Sequence, residues 1–319
     1  MNNSYKPPFL LRHHHVQTIL ASLAPRKILA RRRSAELLAR SSGHILDCGD
    51  GVRLLGVYSA KKENSAGLVI FIHGWEGSSG SAYILSAAGT LFDHGFNIFR
   101  LNLRDHGASH HLNPEPFAST RLEEVQNGVS GIVRLFPHDR NFLVGFSLGG
   151  NFVLRIGQHN PPLTGLVAIS PLIDPVSTTW NLQRNFPVYH WYFLRKWKRS
   201  LRKKRDYCPG LNFGDELLPQ KTLSAMHDYF VPRFTGFQTM TEYLSAYKLD
   251  NQQLGKLTVP THIISADDDP ITRSGELDLI QANPRLTIER TRYGGHCGFL
   301  SDFQLHSWVD QRLTELLRE

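Results

Sequence analysis

Three features of the sequence predict an α/β architecture: a mostly parallel central sheet flanked by helices, carrying a helical cap insertion. Short, fully apolar runs such as residues 68–72 alternate with segments whose apolar residues recur at three and four. The alternation stops at Pro171 and resumes at Thr261. The interval between them is crowded with aromatic side chains, a composition suited to a lid over a ligand crevice.

In chain order, residues 44–48 and 52–58 flank Gly49-Asp50-Gly51, the turn chemistry of an antiparallel hairpin. A strand follows at 68–72, a helix at 81–94, a strand at 97–101 and a helix at 120–136. The strand 141–145, a helix starting near residue 148 and the strand 165–169 complete the first half. After the insertion come a strand at 261–265, a helix around 274–281, a strand around 286–290 and a last helix from about 303 to 317. The predicted organisation is an N-terminal segment over 1–43 packing on the core, a core over 44–170 and 260–319, and a cap over 171–259. The cap holds Trp180, Trp191 and Trp197 with Phe186, Tyr189, Tyr192, Phe193, Phe230, Phe234, Phe237 and Tyr243. At least half of these are expected to form the cap's own core.

The 319 residues, 41% hydrophobic and 20% charged, suffice for one large core or a core with an insertion. No segment has the order of a signal peptide, and no apolar run is long enough to span a bilayer, so a cytoplasmic location is the expectation. Cys48, Cys208 and Cys297 are widely spaced and lack metal-site spacing, which predicts reduced thiols, Cys297 serving as a packing residue. The formal charge of +8 is concentrated in Arg31-Arg32-Arg33 and between Arg195 and Arg205. No zinc-finger spacing, RNP-like motif or helix-turn-helix accompanies it, which argues against nucleic acid as a partner. The groups His13-His14-His15 and His106, His110, His111 lack the Cys or carboxylate framework of a zinc site, so neither a metal nor a cofactor is expected.

The chemistry is carried by Gly145-Phe146-Ser147-Leu148-Gly149, a Gly-x-Ser-x-Gly elbow between an apolar strand and a helical pattern. A serine in so sharp a strand-to-helix turn is strained, and small residues two positions either side let strand and helix approach. The turn sets the hydroxyl at a helix N-terminus, whose amides favour developing negative charge. Such a serine needs a base to take its proton and an acid to orient the base. In this architecture acid and histidine follow on loops after later strands. Asp267-Asp268-Asp269-Pro270 supplies carboxylates after the strand at 261–265, and Gly294-Gly295-His296-Cys297-Gly298 supplies an imidazole after the last strand. Asp269 is preferred because Pro270 fixes the chain there; Asp268 is second and Asp174, after the strand at 165–169, third. The oxyanion is expected to meet two backbone amides, Leu148 N–H and Trp75 N–H in His73-Gly74-Trp75-Glu76-Gly77, with Gly74 permitting the turn.

With Pro8-Phe9-Leu10, His15-Val16-Gln17-Thr18 and His73-Gly74-Trp75-Glu76-Gly77-Ser78-Ser79 added to these motifs, the chain resembles the YheT-like branch of the α/β-hydrolase fold. That branch comprises predicted carboxylesterases, including eukaryotic relatives acting on lipid esters. The resemblance spans nearly the whole chain and implies the roles above for Ser147, Asp269 and His296. One departure is Arg104-Asp105-His106-Gly107-Ala108-Ser109-His110-His111, where the branch has an Arg-Gly turn; this loop is expected to border the active-site entrance. His262 to Asp267 has the spacing of an acyltransferase signal but lies along a predicted strand and is read as coincidence.

The expected function is cleavage of a carboxylic ester with an apolar acyl or alkyl chain through an acyl-enzyme. The same site could pass the acyl group to an alcohol, and a ligand-binding scaffold without turnover is the alternative of another class. The stripe Trp191, Leu194, Trp197, Leu201, with basic residues around it, describes an amphipathic helix able to lie on an anionic lipid surface or, in the duller reading, to pack on the core. The His15-Val16-Gln17-Thr18 segment is expected to pack without a chemical task.

Overall fold

A computed structural model describes residues 5–61, 65–184, 187–211, 213 and 216–319. Eight strands form one sheet in the order β1-β2-β4-β3-β5-β6-β7-β8. β1 (Ser41–Asp47) pairs antiparallel with β2 (Arg53–Ser59), and β2 antiparallel with β4 (Asn97–Leu101). From β4 onward, β3 (Leu68–Ile72), β5 (Asn141–Phe146), β6 (Gly165–Ile169), β7 (Thr261–Ala266) and β8 (Leu286–Thr291) run parallel. Every residue of β3, β4, β5 and β6 is buried, because helices cover both faces; this is why those segments, apart from Asn97, Arg100 and Asn141, are apolar without alternation.

On one face lie α4 (Ala82–Asp93) and α12 (Trp308–Arg318), with α1 (His14–Ser22), α2 (Ala24–Arg33) and α3 (Ala35–Ala39) outside them. Phe71, Phe92, Phe96 and Phe299 form their core. On the other lie α5 (Leu122–Leu135) and α6 (Leu148–Ile156), packed through Val125, Val129, Phe152 and Val153. Between β6 and β7 the chain builds α7 (Pro175–Arg184), α8 (Pro187–Tyr207), α9 (Leu223–Phe234), α10 (Met240–Ser245) and α11 (Asn251–Leu254). Leu182, Trp197, Leu201, Phe213 and Phe230 make a separate cap core, against which Ile19 and Trp75 pack. Phe186 lies outside the described residues.

Two expectations need correction. The segment after β7 is a short 3-10 helix, Ser274–Leu279. The last helix begins at Trp308, because the Asp302 carboxylate accepts the His306 amide and faces its imidazole, and Leu305 takes a positive φ, folding 302–306 into a turn. The apolar stripe of α8 is divided: Trp197 and Leu201, 7% and 4% exposed, pack inward as the duller reading expected, while Trp191, 57% exposed, faces outward. Among the described residues no helix is long and apolar enough to cross a membrane.

Candidate active site

The elbow is as tight as the glycines demand. Ser147, between β5 and α6, has φ 54° and ψ −117°. A Cβ on Gly145 would stand 2.2 Å from the Gly149 carbonyl oxygen, and one on Gly149 would stand 2.3 Å from that of Ile72, so neither position accepts a larger residue. The Ser147 amide donates to the Ile169 carbonyl of β6 at 2.9 Å, tying the strained residue to the sheet.

The Ser147 hydroxyl donates to His296 Nε2 at 2.9 Å, and His296 Nδ1–H donates to Asp269 Oδ2 at 2.8 Å. The carboxylate on Nδ1 fixes the tautomer that leaves Nε2 as acceptor. Asp269 is held in turn by the amides of Ile271 and Thr272 and the Thr272 hydroxyl at 2.8–3.0 Å. Its side chain is fully buried and that of His296 is 9% exposed, so the relay is open to a ligand only at its serine end. Burial works against a charged His296, but the Asp269 carboxylate outweighs it and holds the imidazole well above its ordinary pKa.

The other carboxylates are engaged elsewhere. Asp268 accepts the Gly295 amide at 2.8 Å, pinning the histidine loop, and burial raises its pKa to about 6. Asp267 pairs with Arg290. Asp174 accepts the Ser177 amide at the start of α7 and pairs with Lys248.

Facing the elbow, the loop after β3 brings Gly74 so close that a Cβ there would sit 3.1 Å from Ser147 Cβ. Close approach, rather than a positive φ, is what Gly74 serves; the positive φ falls on Glu76, at 56°. Among the described residues the Trp75 amide has no hydrogen-bond acceptor, and Leu148 N–H belongs to the first turn of α6, where amides lack intrahelical partners. Both residues line a cavity that also reaches Ser147.

Sequence reasoning missed what holds these parts. His73 donates through Nδ1 to the Gly74 carbonyl and accepts the Leu103 amide; His106 donates to the Arg104 carbonyl and accepts the Glu76 amide at 3.0 Å. Burial lowers both pKa values, that of His106 to about 4, so both stay neutral and clamp the loop. Contrary to the expectation from sequence, the Arg104 to His111 loop does not border the entrance: none of its residues lines either cavity at Ser147. Arg104, Asp105, His106, Ser109 and His110 are buried, and α8 packs on the loop, where Lys204 meets Asp105 at 2.9 Å and Ser200 donates to the Asp105 carbonyl. The N-terminal segment does more than pack: Thr18 accepts the His296 amide at 2.9 Å, and Gln17 bonds the Leu300 amide and carbonyl. A Cβ on Gly295 would meet Thr18 Oγ1 at 2.5 Å. The legible signal was the motif itself; its partner is 278 positions away.

Two cavities converge on Ser147. The inner one, about 70 Å³, is walled by Leu172, Leu182, Trp197, Phe230 and Tyr247, with His227 as a polar group. The outer one, about 370 Å³, is bounded by α1 and α2 on one side and α8 on the other, and His296 lines it.

A nucleophile elbow on this sheet, with an imidazole and a buried carboxylate behind its serine, is the arrangement of a serine α/β-hydrolase. The pattern of the Hydrolase_4 family, described as serine aminopeptidase, S33, matches residues 63–295, and the chain belongs to that family. Phospholipase ABHD3 of Mus musculus is 23% identical over 240 residues, covering 73% of this chain and 58% of that protein's own length. YheT of Escherichia coli (strain K12) is 24% identical over 268 residues, covering 81% of this chain and 78% of that one. The solved Pyrococcus furiosus esterase PF2001 superimposes with a TM-score of 0.60 at 17% identity, covering 87% of this chain and 90% of that chain; at that identity the likeness is one of fold.

Proposed function

We propose that the chain is a carboxylic ester hydrolase in which Ser147, His296 and Asp269 form an acyl-enzyme from an ester with an apolar chain. The observation that carries this reading is the unbroken relay from Asp269 through His296 to the Ser147 hydroxyl at the junction of two apolar-walled cavities. Neutral His296 takes the hydroxyl proton as the oxygen attacks the ester carbonyl, and the Asp269 carboxylate stabilises the resulting imidazolium. The carbonyl oxygen, now charged, turns to the amides of Trp75 and Leu148. His296 returns the proton to the departing alcohol, then takes one from water as the water oxygen attacks the acyl carbon, and gives it to Ser147 Oγ as the serine–acyl bond breaks and the acid leaves.

The inner cavity suits a single aliphatic chain, and the outer cleft suits the alcohol moiety. Although the family description names an aminopeptidase, none of the described residues lining either cavity is Asp or Glu, so an N-terminal ammonium would find no counter-charge. The esterase and phospholipase names of relatives agree with an ester as substrate. Acyl transfer to an alcohol uses the same steps, and the room in the outer cleft for an acceptor favours testing it. Hydrolysis of esters of increasing acyl length by wild type and Ser147→Ala, with and without added alcohol, is the test. Turnover that peaks at one chain length and is lost in the variant is expected; equal turnover by both proteins overturns the reading.

A further inference from the structure

The two walls of the outer cleft share an unusual surface. On α2 and its preceding residue, Leu23 and Ile28 are 44% and 52% exposed; on α8, Val188 and Trp191 are 49% and 57% exposed. Leu23, Val188 and Trp191 line the cleft itself, so the apolar rim is continuous with the path to Ser147. The walls are joined below it, where His15 of α1 and the Tyr189 hydroxyl of α8 lie 2.9 Å apart.

Cations surround this rim. α2 contributes Lys27, Arg31, Arg32 and Arg33, and the exposed face of α8 continues from Trp191 through Arg195, Arg199 and Arg202 at helical spacing. The Arg195 guanidinium lies over the Trp191 ring, 5.2 Å from its centroid. Neither α1 nor α2 contains an acidic residue, and α8 has none before Asp206. Among the described residues no ion pair neutralises these arginines.

We propose that this rim docks the protein on an anionic lipid surface, with Leu23, Ile28, Val188 and Trp191 entering the headgroup boundary and the flanking arginines meeting lipid phosphates and carboxylates. Apolar and aromatic side chains ringed by cations match an anionic interface, whereas a nucleic-acid surface would leave the aliphatic rim unmatched. Of the stripe predicted by sequence, Leu194, Trp197 and Leu201 are spent on the cap core and Trp191 alone belongs to this face. Docking would set the cleft mouth against the lipid, so that an ester reaches Ser147 without crossing water; that consequence rests on the ester-hydrolase reading, whereas the docking does not.

The experiment uses the full chain as Ser147→Ala, to prevent turnover, sedimented with vesicles of phosphatidylcholine alone or with about 30% phosphatidylserine. Binding is expected only with phosphatidylserine, weakening as salt rises. Arg32→Glu/Arg199→Glu/Arg202→Glu should lower the partition coefficient roughly a hundredfold or more, and Ile28→Ser several-fold, with melting temperatures unchanged and, when the same substitutions are placed in the protein that keeps Ser147, hydrolysis of a short water-soluble ester unchanged. Indifference to phosphatidylserine, charge-reversed protein that binds as wild type does, or equally tight binding to duplex DNA would overturn the docking face. Failure of the protein that keeps Ser147 to hydrolyse the soluble ester, with vesicle binding intact, would instead sink the enzymatic reading alone.

Discussion

His296 can accept the Ser147 proton only while neutral, and Asp269 both orients the ring and favours its charged form. The acid limb of kcat/KM should therefore lie above the ordinary imidazole pKa. Asp269→Asn should lower kcat by about 10⁴-fold and, with burial left unopposed, move that limb to lower pH. Asp268→Asn can still accept the Gly295 amide and should cost less than about tenfold, one neutral hydrogen bond being the scale of the change. A pH–rate profile of each variant checks both statements; equal losses would contradict the division of labour. Sequence pointed to Asp269 through Pro270, yet three adjacent aspartates offer similar chemistry. Only their partners, His296, Gly295 and Arg290, separate them.

Among elements, the elbow was the most legible, because its strain and close contacts leave glycine no substitute at 145 and 149. The N-terminal strap was visible as a motif but silent about purpose, since its function lies in hydrogen bonds to a loop at the other end of the chain. Thr18→Val removes the acceptor for the His296 amide while keeping shape. It should lower kcat about threefold to tenfold, the worth of one hydrogen bond at a positioned base, with KM for a short soluble ester little changed. A change in KM alone would show that the strap shapes binding rather than the base. The last helix was misjudged at its start because apolar periodicity cannot reveal the Asp302–His306 turn. The stripe on α8 was read correctly as apolar, but periodicity does not say which surface it covers.

For the molecule as a whole, alternation of buried strands and helices made the fold legible, and the break at Pro171 marked the cap. What sequence could not give was how the cap is fixed. Lys204 is buried against Asp105, and His227 packs beside Trp75 and Trp197 while donating to the Leu223 carbonyl. Burial lowers the His227 pKa to about 4, below its unfolded value, so its contribution is present above pH 6.5 and is lost as pH falls towards 4. Asp105, Asp268 and Asp310, raised to about 6 by burial, bind protons in the folded state over the same range and oppose it. The informative quantity is thus a difference: His227→Phe should gain stability relative to wild type by about 1.4 kcal/mol per pH unit across that window, read from urea unfolding at several pH values. A pH-independent difference would place the histidine's titration elsewhere. The central claim is the convergence of residues from β5, β7 and β8 on one nucleophile, and labelling with a fluorophosphonate tests it most directly. Intact mass should show one adduct per chain, mapped to the Ser147 peptide and absent from Ser147→Ala and much slowed in His296→Ala; an adduct that persists in Ser147→Ala, or a wild type that takes up none, would contradict it.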